Sequence, residues 1–198
     1  MNNQPIQASP ETIMQIGTGF WASKILLTAV NFQLFTHLSE QSSLSAKAIK
    51  TLLELNCTDR HLYDFLDALV CFGFLKRDGL LESAHYSNSV DTGFFLDKAK
   101  PTYIGGILEM MNNRLFGFWN NLDEGLKTGL AQNEVKSGGE PVFVTLYKNP
   151  ELLREFVNAM TGMQVGNFMA LAQAFDFSNY NTFLDMGGSA GVLSLMVA

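Results

Sequence analysis

Between Glu11 and Leu38, apolar residues recur at helical spacing without keeping to one side. Ile13, Ile16, Phe20, Leu27, Val30 and Leu34 follow at steps of three, four or seven, while Trp21, Ile25 and Leu26 widen the apolar surface past the single stripe of a surface helix. A helix over 11–38 with this pattern must be covered on more than one side. Two covers satisfy it: the rest of its own chain, which would make it a core helix, or a second polypeptide. With 198 residues, 47% hydrophobic and 12% aromatic, the chain can build a sizeable core in one or two domains, so composition does not choose between the covers.

From about Leu44 to Ser89 the sequence reads as a second unit. Ser45 can cap a helix through Leu55, and Thr58 can cap another over 59–72 that carries Leu62, Phe65, Leu66, Leu69 and Val70 on one face before Gly73 ends it. Phe74–Arg77 then meets Leu80–Ser83 across Asp78-Gly79, a tight-turn dipeptide between two short strand-like runs. Helix, helix, hairpin is a winged-helix arrangement. Such units raise DNA binding, but the net charge is −6 and the second helix carries Asp59, Asp64 and Asp67 against Arg60, carboxylates that would face phosphates. A winged-helix regulator is kept as an alternative, and the wing, with Lys76 and Arg77, is expected to be scaffold.

Pro101 to Gly129 reads as mostly helical, with Gly105, Gly106, Met110, Met111, Phe116, Phe118 and Trp119; aromatics and thioethers at this spacing suit a core or a ligand wall. After a loop at Lys136–Pro141, Asn149 or Pro150 opens a helix with Leu152, Leu153, Phe156, Met160 and Met163, and a polar stretch over 176–181 leads to an apolar strand, Phe183–Met186. Small residues at Gly187, Gly188, Ser189 and Gly191 follow, where a ligand could approach backbone and the N-terminus of the next helix. A dinucleotide fingerprint starting at Gly187 would need glycine at Ser189 and Val192, and no Gly-Lys-Ser/Thr of a phosphate loop follows. What remains is acidic-x-Gly-x-small-x-Gly, from Asp185 to Gly191. A lone strand of this kind leaves backbone donors and acceptors open on both edges and must pair, fray or aggregate.

The first seven residues show no signal-peptide pattern, and Asn31 and Gln33 interrupt the one long apolar stretch, so a cytoplasmic protein without membrane partner is expected. Cys57 and Cys71 form no paired motif and read as buried free thiols; no metal site is expected. His37, His61 and His85 are scattered and read as surface or helix-end residues.

Taken in order, Gly19-Phe-Trp-Ala-Ser-Lys, Phe65-Leu-Asp-Ala-Leu-Val-Cys-Phe-Gly-Phe-Leu, Tyr103-Ile-Gly-Gly, Phe156-Val-Asn-Ala-Met and Phe177-Ser-Asn-Tyr before Phe183-Leu-Asp-Met-Gly-Gly resemble the S-adenosylmethionine-dependent small-molecule O-methyltransferases with an N-terminal winged-helix dimerisation domain, the caffeate- and hydroxyneurosporene-type enzymes. The resemblance covers nearly the whole chain, and Asp185–Gly191 is similar to the family's first cofactor motif. It implies a mainly α fold: a winged-helix-like dimerisation domain over 1–100, a helical segment lining the substrate pocket over 101–180, and over 181–198 the first strand and helix start of a truncated Rossmann-like methyltransferase domain.

By the same resemblance Asp185, Gly187, Gly188, Ser189, Gly191 and Gln164 would bind S-adenosylmethionine, and Phe156, Met160, Met163 and Trp119 would line the pocket of a small aromatic or polyketide-like hydroxyl acceptor. Oxygen rather than nitrogen as the methylated atom rests on the family alone. The N-terminal helices would pair two subunits and roof the partner's pocket. Ser189 departs from a glycine common in the family. An acidic residue ending a second strand and a histidine general base are implied for a complete enzyme and are absent from this sequence, so the chain by itself is expected to dimerise without catalysis. The alternative is a stand-alone dimerisation or regulatory module.

Overall fold

In the computed structural model, which describes residues 8–136 and 139–198, the long N-terminal pattern forms two helices: α1 (Glu11–Asn31) and α2 (Leu34–Gln41). The expected single helix is broken at Gln33, whose φ is 53°. A left-handed residue other than glycine costs about 1–2 kcal/mol, and what offsets it is packing: past the break Leu34, Phe35 and Leu38 enter the core, none more than 1% exposed. Residues 1–7, and Ser137 and Gly138 of the expected loop, lie outside the described residues. By length and mean hydropathy, 1.2 over 18 residues, α1 could also cross a bilayer; Asn31 and Gln33 do not interrupt it but stand at and beyond its end.

The capping residues act where the sequence places them. The N–H of Ala48 donates to Ser45 Oγ (3.2 Å) at the start of α3 (Ala46–Leu52), and that of His61 to Thr58 Oγ1 (3.3 Å) at the start of α4 (Asp59–Cys71). Leu62, Leu66 and Leu69 of α4 are buried, and Gly73 (φ 76°) ends the unit as expected. Cys71 is exposed rather than buried, because it lies two residues, about 200° of helix, past Leu69.

The wing needs correction. Strands β1 (Leu44–Ser45), β2 (Leu75–Asp78) and β3 (His85–Asn88) form an antiparallel sheet in the order β1-β3-β2, with Leu75 opposite Asn88 and Asp78 opposite His85. Leu80–Ser83 is not the return strand: Leu81–Ser83 is a 3-10 turn inside a wider loop, and Leu80 and Leu81 are 66% and 72% exposed. His85–Asn88 sends Tyr86 fully into the core, whereas neither of the adjacent Leu80 and Leu81 is buried. Val30, Leu34, Phe35, Leu38, Ile49, Leu62, Leu66, Leu69, Leu75 and Tyr86 share one core.

Beyond the wing come α5 (Val90–Phe95), α6 (Gly105–Met110), a π turn (Met111–Leu115), α7 (Phe116–Trp119) and α8 (Leu122–Thr128), closed by Gly129 at φ 70°. An additional helix, α9 (Val142–Lys148), precedes the long α10 (Pro150–Ala174). The expected strand at 183–186 is not formed: Phe183–Asp185 has no regular secondary structure and Met186 already belongs to the turn, since no other strand among the described residues runs beside it; α11 (Val192–Val197) follows.

Candidate functional site

Two faces of α10 have different work. Its start is fixed by Asn149, whose Oδ1 accepts the N–H groups of Glu151 (3.0 Å) and Leu152 (3.2 Å), with Pro150 at the first helical position. Ala159 and Gly162 are buried against the linker and α6: a Cβ on Gly106 would stand 2.9 Å from the Asn158 carbonyl oxygen, and one on Gly162 3.3 Å from Ile104 Cα. Helix backbones approach this closely only where a side chain is missing. With that face clamped, Phe156, Met160, Gln164 and Phe168, spaced by four, line the other side together with Thr161.

Opposite them stands the glycine-rich turn. Asp176 anchors the approach, accepting the Ser178 hydroxyl (2.6 Å) and N–H (3.0 Å) and the Asn179 amide (2.9 Å), so that the Ser178 hydroxyl, and then its N–H, hold the carboxyl below its ordinary value. Phe175, Phe177, Tyr180 and Phe183 pack as an aromatic chain with centroids 4.7–5.7 Å apart. Then Gly187 (φ 78°), Ser189 (φ 49°) and Gly191 (φ 72°) alternate through left-handed backbone, with the Gly191 N–H donating to the Gly188 carbonyl (2.7 Å). The Asp185 carboxylate lies over Gly188, where a Cβ would stand 2.6 Å from Oδ2 and would turn that side chain aside.

Between turn and helix lies a hollow of about 450 Å³ lined by Phe156, Met160, Gln164, Asp185, Gly187, Gly188 and Ser189, along with Thr161, Phe168, Ala190 and Val192. Seven of the ten expected site residues therefore meet in one place. Gly191 does not line it but turns the chain into α11. Met163 is 53% exposed and lies outside the hollow; Trp119, 67% exposed, lies in a separate groove with Leu122, Leu126 and Leu130. Thr161 and Phe168 were not anticipated, although Phe168 continues the four-residue spacing of Phe156, Met160 and Gln164. Asp185 is the one ionisable group on the wall, and among the described residues no cluster of three or more His, Cys, Asp or Glu could hold a metal.

In the winged unit the charges are largely spent. Asp59 pairs with Lys50 (2.6 Å), and Asp67 takes Arg77 of the wing (2.7 Å) and the Tyr86 hydroxyl (2.9 Å). The first half of α1 presents an apolar stripe to solvent, where Ile13, Ile16, Phe20 and Trp21 are 73%, 75%, 53% and 61% exposed.

Residues 14–96 match the family model of the O-methyltransferase dimerisation domain. The chain is 35% identical over 185 residues, 93% of its length and 52% of the relative's, to the tetracenomycin polyketide synthesis 8-O-methyl transferase TcmO of Streptomyces glaucescens. It is 31% identical over 182 residues, 91% of its length and 50% of the relative's, to the S-adenosyl-L-methionine-dependent methyl transferase PigF of Serratia sp. (strain ATCC 39006). It thus spans about half the length of these relatives. In fold it is similar to human N-acetylserotonin methyltransferase in complex with SAM, with a TM-score of 0.83 and 24% identity over all of this chain and 57% of that one.

Proposed function

Residues 14–96 belong to the O-methyltransferase dimerisation-domain family, and on that premise we propose that this chain supplies the subunit contact and one wall of the cofactor cleft of an S-adenosylmethionine-dependent O-methyltransferase. The observation that carries the reading is the shared hollow: the turn from Asp185 to Ser189 and the α10 stripe of Phe156, Met160 and Gln164 face the same space. Asp185 and Gln164 would take the polar groups of the cofactor and Gly187 and Gly188 would let it lie against backbone. Phe156 and Met160 would hold a small aromatic or polyketide-like hydroxyl acceptor in line with the methyl group. The polyketide product class in the name of TcmO supports that acceptor chemistry.

The exposed stripe of α1 is covered by a second copy of the chain, which accounts for its being apolar on more sides than one fold can bury. The family match begins at Met14, inside this helix, and supports a partner protein over a bilayer as the cover. The assembly is a soluble cytoplasmic homodimer. Residues 1–198 by themselves dimerise without turnover, because the hollow they line holds Asp185 as its one candidate base, beside the cofactor turn.

Calorimetric titration of the 198-residue chain with S-adenosylhomocysteine tests the reading. Saturable binding that Asp185→Ala abolishes is expected. Binding indifferent to Asp185, or none with the chain folded, would remove the cofactor role of this turn in these residues and leave a dimerisation module.

A further inference from the structure

Tyr103-Ile104-Gly105-Gly106 has no part in the hollow, yet every residue in it is committed. The Tyr103 ring lies on Gly105 so closely that no Cβ fits there, Gly106 touches the backbone of α10 at Asn158, and the Tyr103 carbonyl and Ile104 Cα both lie 3.3 Å from where a Cβ of Gly162 would be. The run is also tied backward. Ile104 donates its N–H to the Phe95 carbonyl (2.9 Å), and Lys98 donates its N–H to Thr36 Oγ1 of α2 (2.9 Å). The side chains of Tyr103 and Lys98 meet on Glu109 of α6, whose Oε1 accepts the Tyr103 hydroxyl (2.7 Å) and the Lys98 ammonium (2.7 Å) while its side chain is only 19% exposed. Lys98 Nζ stands 5.9 Å from the Tyr103 ring centroid. Burial, and then the bond to Glu109, push the Tyr103 hydroxyl above the ordinary tyrosine range, so it stays a donor.

We propose that Glu109 is a positioning residue: by holding Tyr103 and Lys98 together it seats residues 103–106 against α10, Gly106 on Asn158 and Ile104 on Gly162, and so sets where α10 presents Phe156, Met160 and Gln164. Placement of the dimerising unit is thereby passed to the wall of the hollow, whose Met160 and Gln164 flank Gly162 on α10, through contacts that touch no ligand. The meaning of that wall rests on the cofactor reading above; the coupling itself does not.

Hydrogen exchange read by mass spectrometry on the whole 198-residue chain tests it without any ligand. Glu109→Ala should speed exchange about tenfold in 105–110 and 150–174, the scale of a lost charge-assisted bond, and leave 59–71 and 75–88 unchanged. Glu109→Gln, which keeps an oxygen for both donors, should restore most of the protection. Acceleration spread through the winged unit, confined to 105–110, or absent would overturn the proposal, as would Gln behaving like Ala. If the unaltered chain binds S-adenosylhomocysteine, Glu109→Ala should weaken that binding by a similar factor. A chain that fails to bind it sinks the cofactor reading and leaves the exchange result to stand on its own.

Discussion

The Tyr86 hydroxyl donates to Asp67 Oδ1 across 2.9 Å, joining the fully buried centre of β3 to α4 beside the Arg77 guanidinium. Burial, and then the neighbouring carboxylate, push this phenol up to about 12. Its folded value lies above the unfolded one, so the contribution to stability is complete below about pH 10 and is lost as pH rises toward 12. Chemical denaturation across that window should show a stability decline, and Tyr86→Phe should lower stability at neutral pH by about 1 kcal/mol while flattening the decline. An unchanged alkaline slope would mean the phenol is not the group responsible.

Trp21→Glu on the exposed half of α1 should convert a dimer into a monomer at micromolar concentration, measured by light scattering. Each buried aromatic contributes about 1.5–3 kcal/mol and the substitution occurs twice in a two-fold pair, so dissociation should strengthen at least a hundredfold, by about 3 kcal/mol or more. Far-ultraviolet circular dichroism should change little, because Trp21 lies outside the core. A wild-type monomer would count against the second copy as the cover.

Gly106→Ala should destabilise by about 1–3 kcal/mol, because the added methyl meets the Asn158 backbone at 2.9 Å and neither helix can give way without repacking. Gly166, also on α10, has nothing within 4 Å of the place a methyl would take, and Gly166→Ala should instead gain up to about 1 kcal/mol of helix propensity. Paired thermal melts give the two signs; equal effects would contradict the close approach of α6 and α10.

Ser189 holds φ at 49° on the wall of the hollow. Ser189→Gly should relieve about 1 kcal/mol of backbone strain, and on the cofactor reading it should tighten S-adenosylhomocysteine binding by up to about fivefold in calorimetry. Weaker binding would identify the hydroxyl as a ligand contact.

What the sequence made legible was local. Ser45, Thr58 and Asn149 cap helices because capping depends on a side chain and an amide two or three residues on, a relation spelled out in order along the chain. The return strand of the wing was missed because Asp78-Gly79 does signal a turn, yet the partner of β2 is chosen by where Tyr86 can be buried, which is a property of the assembled core. The break at Gln33 is of the same kind: two polar residues hinted at it, but core packing of Leu34 and Phe35 decides it. At the candidate site the turn and the Phe156–Met160–Gln164 stripe were readable. The exclusion of Met163 and Trp119 from the hollow was not, because a periodic pattern shows which residues share a face and says nothing of which face another element will meet.

The break at Gln33 divides labour between two stretches of chain. Leu34 onward is committed to the interior, while Ile13–Trp21, upstream on α1, stands largely clear of its own fold. On the dimer reading, substitutions in that upstream stretch can change which copies pair without disturbing the shared core that holds Leu34, Phe35 and Leu38. Inserting a single residue between the two stretches would rotate the recognition stripe by about 100° against an unaltered interior. A lineage built on this plan can diverge in self-recognition, so that closely related copies in one cell need not mix, while the architecture that carries them stays the same.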